Sequence, residues 1–143
     1  MISQCQERFV RFEFRHRENK GLCNTLNEAL EWTNGEFFSA LASDDIILPI
    51  KIETQANYLL KNKNCAAIFG AINFIDENNN IAGSRIKPSK KFFFKDILLH
   101  KHELPAPTQL IRTELLNRTS KYNPNFRIED WDMWLKLSQY RLS

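Results

Sequence analysis

The chain has few cysteines, and they form no pattern. Cys5, Cys23 and Cys65 are odd in number and widely spaced. No Cys-x-x-Cys pair or Cys/His ligand spacing occurs, so neither a disulfide framework nor a zinc site is supported. This usage fits a reducing, cytoplasmic setting, with the inner face of the membrane as a peripheral location. No apolar run approaches the roughly 18 residues a membrane span needs, so no transmembrane segment is expected. The opening Met1–Gln6 has no signal-peptide core, so no secretory leader is expected. Excess charge is small too, at +3 over 143 residues. That does not imply nucleic acid, and it fits an enzyme of phosphorylated substrates equally well. Internal repeats and low-complexity tracts are absent.

What is present reads as one ordinary soluble domain. Hydrophobic residues make up 43% and charged residues 26%, which is typical of globular chains. The length suffices for one domain with a real core. Phe9–Arg15 alternates apolar and charged residues from Val10 onward, which predicts a half-buried strand. Its basic residues interleave with aromatics, a pattern that RNA-binding surfaces share. Glu13 interrupts the basic row, however, and no ribonucleoprotein-type motif appears. Nucleic acid is therefore not an expected partner.

Leu22, Leu26, Ala29 and Leu30 share one stripe of a helix from about 21 to 33, which Asn34-Gly35 stops. Gly21 leaves backbone amides accessible at that helix start, where anions such as diphosphate are favoured. A strand over Gly35–Leu41 follows. It leads into Ser43-Asp44-Asp45 and then Pro49, which opens a helix reaching Lys61 with Ile52, Gln55, Ala56, Leu59 and Leu60 inward. Ala66–Ile75 and Ile81–Ile86 read as strands of a hairpin. A basic connector, Lys87–Lys91, leads to an apolar helix over 92–99. Phe92, Phe93 and Phe94 cannot all lie on one face of it. Two would pack in the core while the third meets a partner. His100-Lys101-His102 reads as a solvated loop. Pro105–Ile111 enters a short strand, Arg112–Thr119 forms one or two helical turns, and Glu129 opens the last helix. On that helix Trp131, Trp134, Leu135 and Ser138 share a face.

The Asp44-Asp45 pair carries the first chemical signal. Carboxylates at a strand's end sit where open α/β sheets place ligands. Hard oxygen ligands suit Mg²⁺ or Mn²⁺, which usually bridge to phosphates. The alternative is a pair that caps the next helix. The second signal is Glu129-Asp130 with Asp132, three acids in a first helical turn, which also complement the helix dipole.

Four stretches together resemble glycosyltransferase family 2, the inverting enzymes with the GT-A fold. They are Glu18–Leu22 with Thr25-Leu26-Asn27 and Ala29-Leu30; Asn34–Phe38 leading to Leu41–Asp45 and Pro49; the Gly70–Gly83 hairpin with Ile75–Asn78; and Pro107–Arg112 followed by Glu129–Leu135. The resemblance spans residues 18–137. It implies a three-layer α/β/α domain with a central mixed sheet, present here in part, so that 1–143 is a single partial catalytic domain. It implies transfer of a sugar, with inversion, from a nucleotide-sugar donor to a glycan or other acceptor hydroxyl, in surface glycan or polysaccharide biosynthesis. Asp44 and Asp45 would hold the metal. Gly21, Asn27 and Asp44 would meet the nucleotide sugar. Asp130 would be the general base, and Thr108, Gln109 and Glu129 would lie on the acceptor side.

The sequence departs from the family pattern in three places. Ala42 stands where many members carry Asp, and Leu26 where many carry Arg. The family's first apolar strand, which helps hold the nucleotide, has no counterpart before Phe9. A fragment is therefore expected, one whose exposed edge and apolar side chains favour self-association. The alternative is a non-catalytic GT-A-like fragment acting as a binding or assembly module.

Overall fold

A computed structural model describes residues 2–140. Helix α1 spans Ile2–Arg8 and α2 spans Leu22–Trp32; strand β1 is Phe37–Phe38 and α3 is Lys51–Lys61. Strands β2 (Ala67–Ile68), β3 (Ile72–Ile75) and β4 (Ile81–Arg85) precede α4 (Phe94–Leu98). A 3₁₀ turn at Ala106–Thr108, β5 (Leu110–Arg112), α5 (Thr113–Arg118) and α6 (Glu129–Ser138) complete the order. No helix among the described residues is long and apolar enough to cross a membrane.

The α/β class implied by the family resemblance holds. Strand β5 lies between β1 and β2. Phe38 and Ala67 both pair with Ile111. Both pairings are antiparallel, so the parallel pairs of a mixed sheet are not formed among the described residues. Ile111 is fully buried in the main cluster with Cys23, Leu30, Leu115, Met133 and Leu137. Leu110 is also buried but lies outside that cluster. Successive strand residues face opposite ways, which turns Leu110 toward the side where α3 packs on β2 and β5. Helix α3 thus covers one face of the sheet, and α2, α5 and α6 cover the other.

Polar staples, more than long ladders, tie these short elements together. The Arg112 guanidinium donates to the Leu59 carbonyl at 2.6 Å and the Cys65 carbonyl at 2.9 Å. It therefore caps the C-terminal end of α3 from the central strand, where a cation complements the dipole. The Gly70 N–H donates to Thr108 Oγ1 at 2.9 Å. That side chain takes Gly70 out of any ladder, and the continuous strand expected over Ala66–Ile75 breaks into β2 and β3. These belong to different sheets. Strands β3 and β4 form the expected hairpin, with a register shift beyond Phe74.

Other expectations are corrected. No strand forms over Phe9–Arg15. Val10 is fully exposed and Phe9 and Phe14 are more than half exposed. An alternating pattern needs a neighbouring edge, and none pairs there. Arg11 instead donates to the Trp32 carbonyl and lies 4.0 Å over its ring, while Arg17 binds Glu28 at 2.9 Å. The strand expected at Gly35–Leu41 shrinks to two residues. Leu22 is exposed and Cys23 takes the inward place on α2. On α3 only Gln55 and Leu59 are buried; Ile52 and Leu60 are exposed. None of Phe92, Phe93 and Phe94 enters the core, because Ile97 supplies the buried side of α4. On α6 the buried apolar pair is Met133 and Leu137, at i and i+4, and the two tryptophans are half-buried on its flank. In the His100–His102 loop, His100 and Lys101 are exposed as expected, while His102 is half-buried, and both imidazoles pack on those tryptophans.

Candidate functional site

The N-terminal end of α2 opens into a pocket of about 260 Å³. Lys20, Gly21, Cys23, Pro124, Phe126 and Glu129 are among its walls. Gly21 has φ +84 and nothing within 4 Å of where a Cβ would stand. Only glycine adopts that conformation without strain, and the space beside it stays open. The free amides of the first turn and the Lys20 ammonium make this end attractive to an anion. Glu129 supplies negative charge to the wall.

The opposite wall is the loop between α5 and α6, and Asn27 fixes it. Its amide donates to the Tyr122 carbonyl and accepts from the Tyr122 N–H, both at 2.9 Å. Lys136 donates to the Lys121 carbonyl at 2.7 Å and to Asp132 at 2.5 Å. The loop is therefore tied to α2 on one side and α6 on the other. The amide of Asn27, expected on the nucleotide sugar, is engaged in that clasp.

The three acids of α6 have different surroundings. Asp132 is buried and ion-paired with Lys136. Asp130 is half-buried and accepts no hydrogen bond from any described residue. Desolvation, with the adjacent Glu129 charge second, pushes its carboxyl up to about 6. A carboxylate with its midpoint there is mostly ionised at neutral pH and more basic than an ordinary one. Burial also pushes the Tyr122 phenol up, with the Asp130 and Glu129 charges adding to it. The fully buried Tyr122 hydroxyl has no described partner.

Asp44 and Asp45 lie in a turn six and seven residues beyond the end of β1. The Asp45 N–H closes that turn on the Ala42 carbonyl at 3.2 Å. Asp44 is exposed and Asp45 half-buried. Neither carboxylate forms an ion pair or side-chain hydrogen bond with a described residue, so both are free to act as ligands. No group of three or more His, Cys, Asp and Glu side chains converges among the described residues. Two carboxylates fit Mg²⁺ or Mn²⁺ only if phosphate and water complete the shell.

Thr108 and Gln109 are buried. The Thr108 hydroxyl donates to the Pro105 carbonyl at 2.7 Å and receives Gly70. The Gln109 amide oxygen is buried without a described partner. The pocket thus unites Gly21 and Glu129, while Asn27, Asp44, Asp45, Thr108, Gln109 and Asp130 do not line it. Sequence reasoning missed Lys20, Tyr122 and Phe126. Their signals were a lysine next to the helix-start glycine and an aromatic-rich loop just before the acidic turn.

The profile of a family described as glycosyl transferase family 2 matches residues 1–120. The chain is similar to an uncharacterized glycosyltransferase of Methanocaldococcus jannaschii, 28% identical over 143 residues, covering 95% of this chain and 48% of the relative. It is also similar to the UDP-Glc:alpha-D-GlcNAc-diphosphoundecaprenol beta-1,3-glucosyltransferase of Escherichia coli. That identity is 34% over 118 residues, covering 82% of this chain and 44% of the relative. An O-antigen biosynthesis glycosyltransferase of the same organism is 28% identical over 112 residues, covering 78% and 43%. The chain spans less than half the length of these relatives.

Proposed function

This chain belongs to glycosyl transferase family 2, and from that premise we propose that it forms part of an inverting, metal-dependent enzyme. The enzyme transfers a sugar from a nucleotide-sugar donor to an acceptor hydroxyl in surface glycan or polysaccharide synthesis. Two relatives named for undecaprenol-linked and O-antigen synthesis support that acceptor class. The observation that carries the reading is Asp130, a partly desolvated carboxylate on a rigid first turn with its protonation midpoint raised to about 6.

In this mechanism the Asp130 carboxylate takes the proton of the acceptor hydroxyl. The acceptor oxygen attacks the anomeric carbon from the face opposite the diphosphate. The bond from that carbon to the diphosphate oxygen breaks, and the nucleoside diphosphate leaves with the electron pair. Gly21 and the α2 amides, with Lys20, attract the diphosphate. Asn27 keeps the facing loop in place. Asp44 and Asp45 would hold Mg²⁺ or Mn²⁺, which when bound supplies positive charge to the leaving diphosphate. Of the acceptor-side residues, Glu129 stands on the pocket wall, while Thr108 and Gln109 are buried away from it. The location is the cytoplasmic face of a membrane. The basic run Arg85, Lys87, Lys90, Lys91 and Lys95 beside exposed Phe93 suits an anionic lipid surface.

Asp130→Asn in the full-length enzyme tests this. Turnover should fall by roughly 10²–10⁴ while donor affinity barely changes. Near-normal turnover in that variant overturns the assignment. A non-catalytic assembly module would show no Asp130-dependent transfer with any donor.

A further inference from the structure

Asp130 is followed on α6 by Trp131 and Trp134, and both indoles are gripped by one segment. Trp131 Nε1 donates to the Ile97 carbonyl at 2.9 Å. The His100 ring stacks on Trp131, with centroids 4.4 Å apart and planes at 21°. The His102 ring meets Trp134 edge-on at 5.4 Å and 86°. Phe69 meets the same indole edge-on at 5.3 Å. The two imidazoles are themselves stacked at 5.9 Å. His100 holds its place with a left-handed backbone, φ 51, which is uncommon for a residue with a Cβ.

Stability alone does not explain an imidazole at position 102; His100, by contrast, is exposed. Both His102 ring nitrogens and Trp134 Nε1 are buried without described partners. An unpaired buried polar group opposes folding, and a phenyl ring would fill the space without that penalty. Burial, with His100 second, pulls the His102 pKa down, which favours the neutral ring. What the grip achieves is directional. Trp131 is the residue next to Asp130, and Trp134 lies one turn further along the same helix.

We propose that His100 and His102 are positioning residues that set the tilt of the first turn of α6 and the solvent access of the Asp130 carboxylate. Neither touches substrate; they act through the two indoles. The consequence for turnover rests on Asp130 being the base, whereas the consequence for its ionisation does not. The other titratable groups acting around that carboxylate are Glu129 on α6, Tyr122 on the preceding loop and Cys23 on α2. All three stay unchanged in the variants that follow.

The test compares full-length wild-type enzyme with His100→Leu and His102→Leu, which keep side-chain volume, and with His100→Phe and His102→Phe, which keep a ring. Folding is checked by circular dichroism. Asp130 ionisation is followed by carboxyl carbon NMR, and kcat and donor KM are measured separately. In the leucine variants the Asp130 midpoint should fall from about 6 toward the ordinary carboxylate range. The same variants should lose roughly tenfold or more in kcat, since small misplacements of a reacting group are that costly. Donor KM should stay within about twofold. The phenylalanine variants should recover both readouts. Folded leucine variants with an unmoved Asp130 titration overturn the proposal. Should the leucine variants not fold, phenylalanine variants with a displaced Asp130 titration would equally overturn it. If the titration moves as expected but Asp130→Asn retains turnover, the positioning role stands and the assignment of the base falls.

Discussion

Asp130, the proposed base, also bears on stability. Its carboxyl rises from 3.8 to about 6 on folding, so the folded chain binds that proton more tightly than the unfolded chain. Ionised Asp130 therefore opposes folding. The opposition is absent below about pH 4, grows as pH rises through about 6, and is constant above. Asp130→Asn should accordingly raise the thermal midpoint at about pH 7.5 and leave it unchanged at about pH 3.5. A lower midpoint at both pH values would mean the carboxylate is not desolvated. With Asp130 as the proposed base, turnover should move the other way, rising with pH as that carboxyl ionises, with an acidic limb near 6. Asp44 belongs to this scale as well. Isothermal titration of the full-length protein with a nucleoside diphosphate and Mn²⁺ should show metal-dependent affinity that Asp44→Ala loses. Equal metal dependence in both proteins would remove Asp44 from the site. Two carboxylates alone bind such ions weakly, so little binding is expected without the diphosphate.

Elements here are short, and single side chains decide where they end. Arg112 sits in the central strand and reaches the last carbonyls of α3 with a forked guanidinium. Hydrogen bonds from a charged donor contribute about 1.5–3 kcal/mol each when partly buried. Arg112→Ala should therefore destabilise by about 3 kcal/mol or more in denaturant titration, and Arg112→Lys should recover less than half of that. A point charge cannot serve carbonyls in two directions at once. Full recovery by lysine would show that charge near the helix end, and not the fork, is what matters. The break at Gly70 follows the same logic, because one threonine hydroxyl removes the ladder hydrogen bond that would have continued β2.

At the scale of the whole molecule, the apolar surface is uneven. The main cluster is closed, with Ile111, Leu115, Leu116 and Met133 fully buried. Yet Ile46, Leu48, Ile50, Ile86 and Phe93 are each at least 65% exposed. Large exposed side chains of this kind promote association. The 143-residue chain should self-associate with rising concentration in light scattering, and Phe93→Ser with Ile86→Ser should reduce it. A strictly monomeric profile at high concentration would sink that expectation.

Helical periodicity and local chemistry were legible from the residues alone. The later part of the α2 stripe, Leu26 to Leu30, the acidic opening of α6, the hairpin after Ile75 and the helix-start Gly21 depend on contacts within a few positions, and local spacing encodes those. Strand extent was not legible. Phe9–Arg15 alternates as a strand should, but a strand exists only beside a partner edge, and that partner is chosen by the fold. The roles of the acids divide the same way. Their presence in one helical turn was visible in Glu129-Asp130-Trp131-Asp132. The Asp132–Lys136 ion pair is local too, since the two stand at i and i+4 on α6; tertiary packing decided only that Asp130 is partly desolvated. Asn27 and His102 make the point most sharply. Both are polar residues whose sequence neighbours say nothing of their partners, which lie 95 positions away at Tyr122 and beyond β5 and α5 at Trp134.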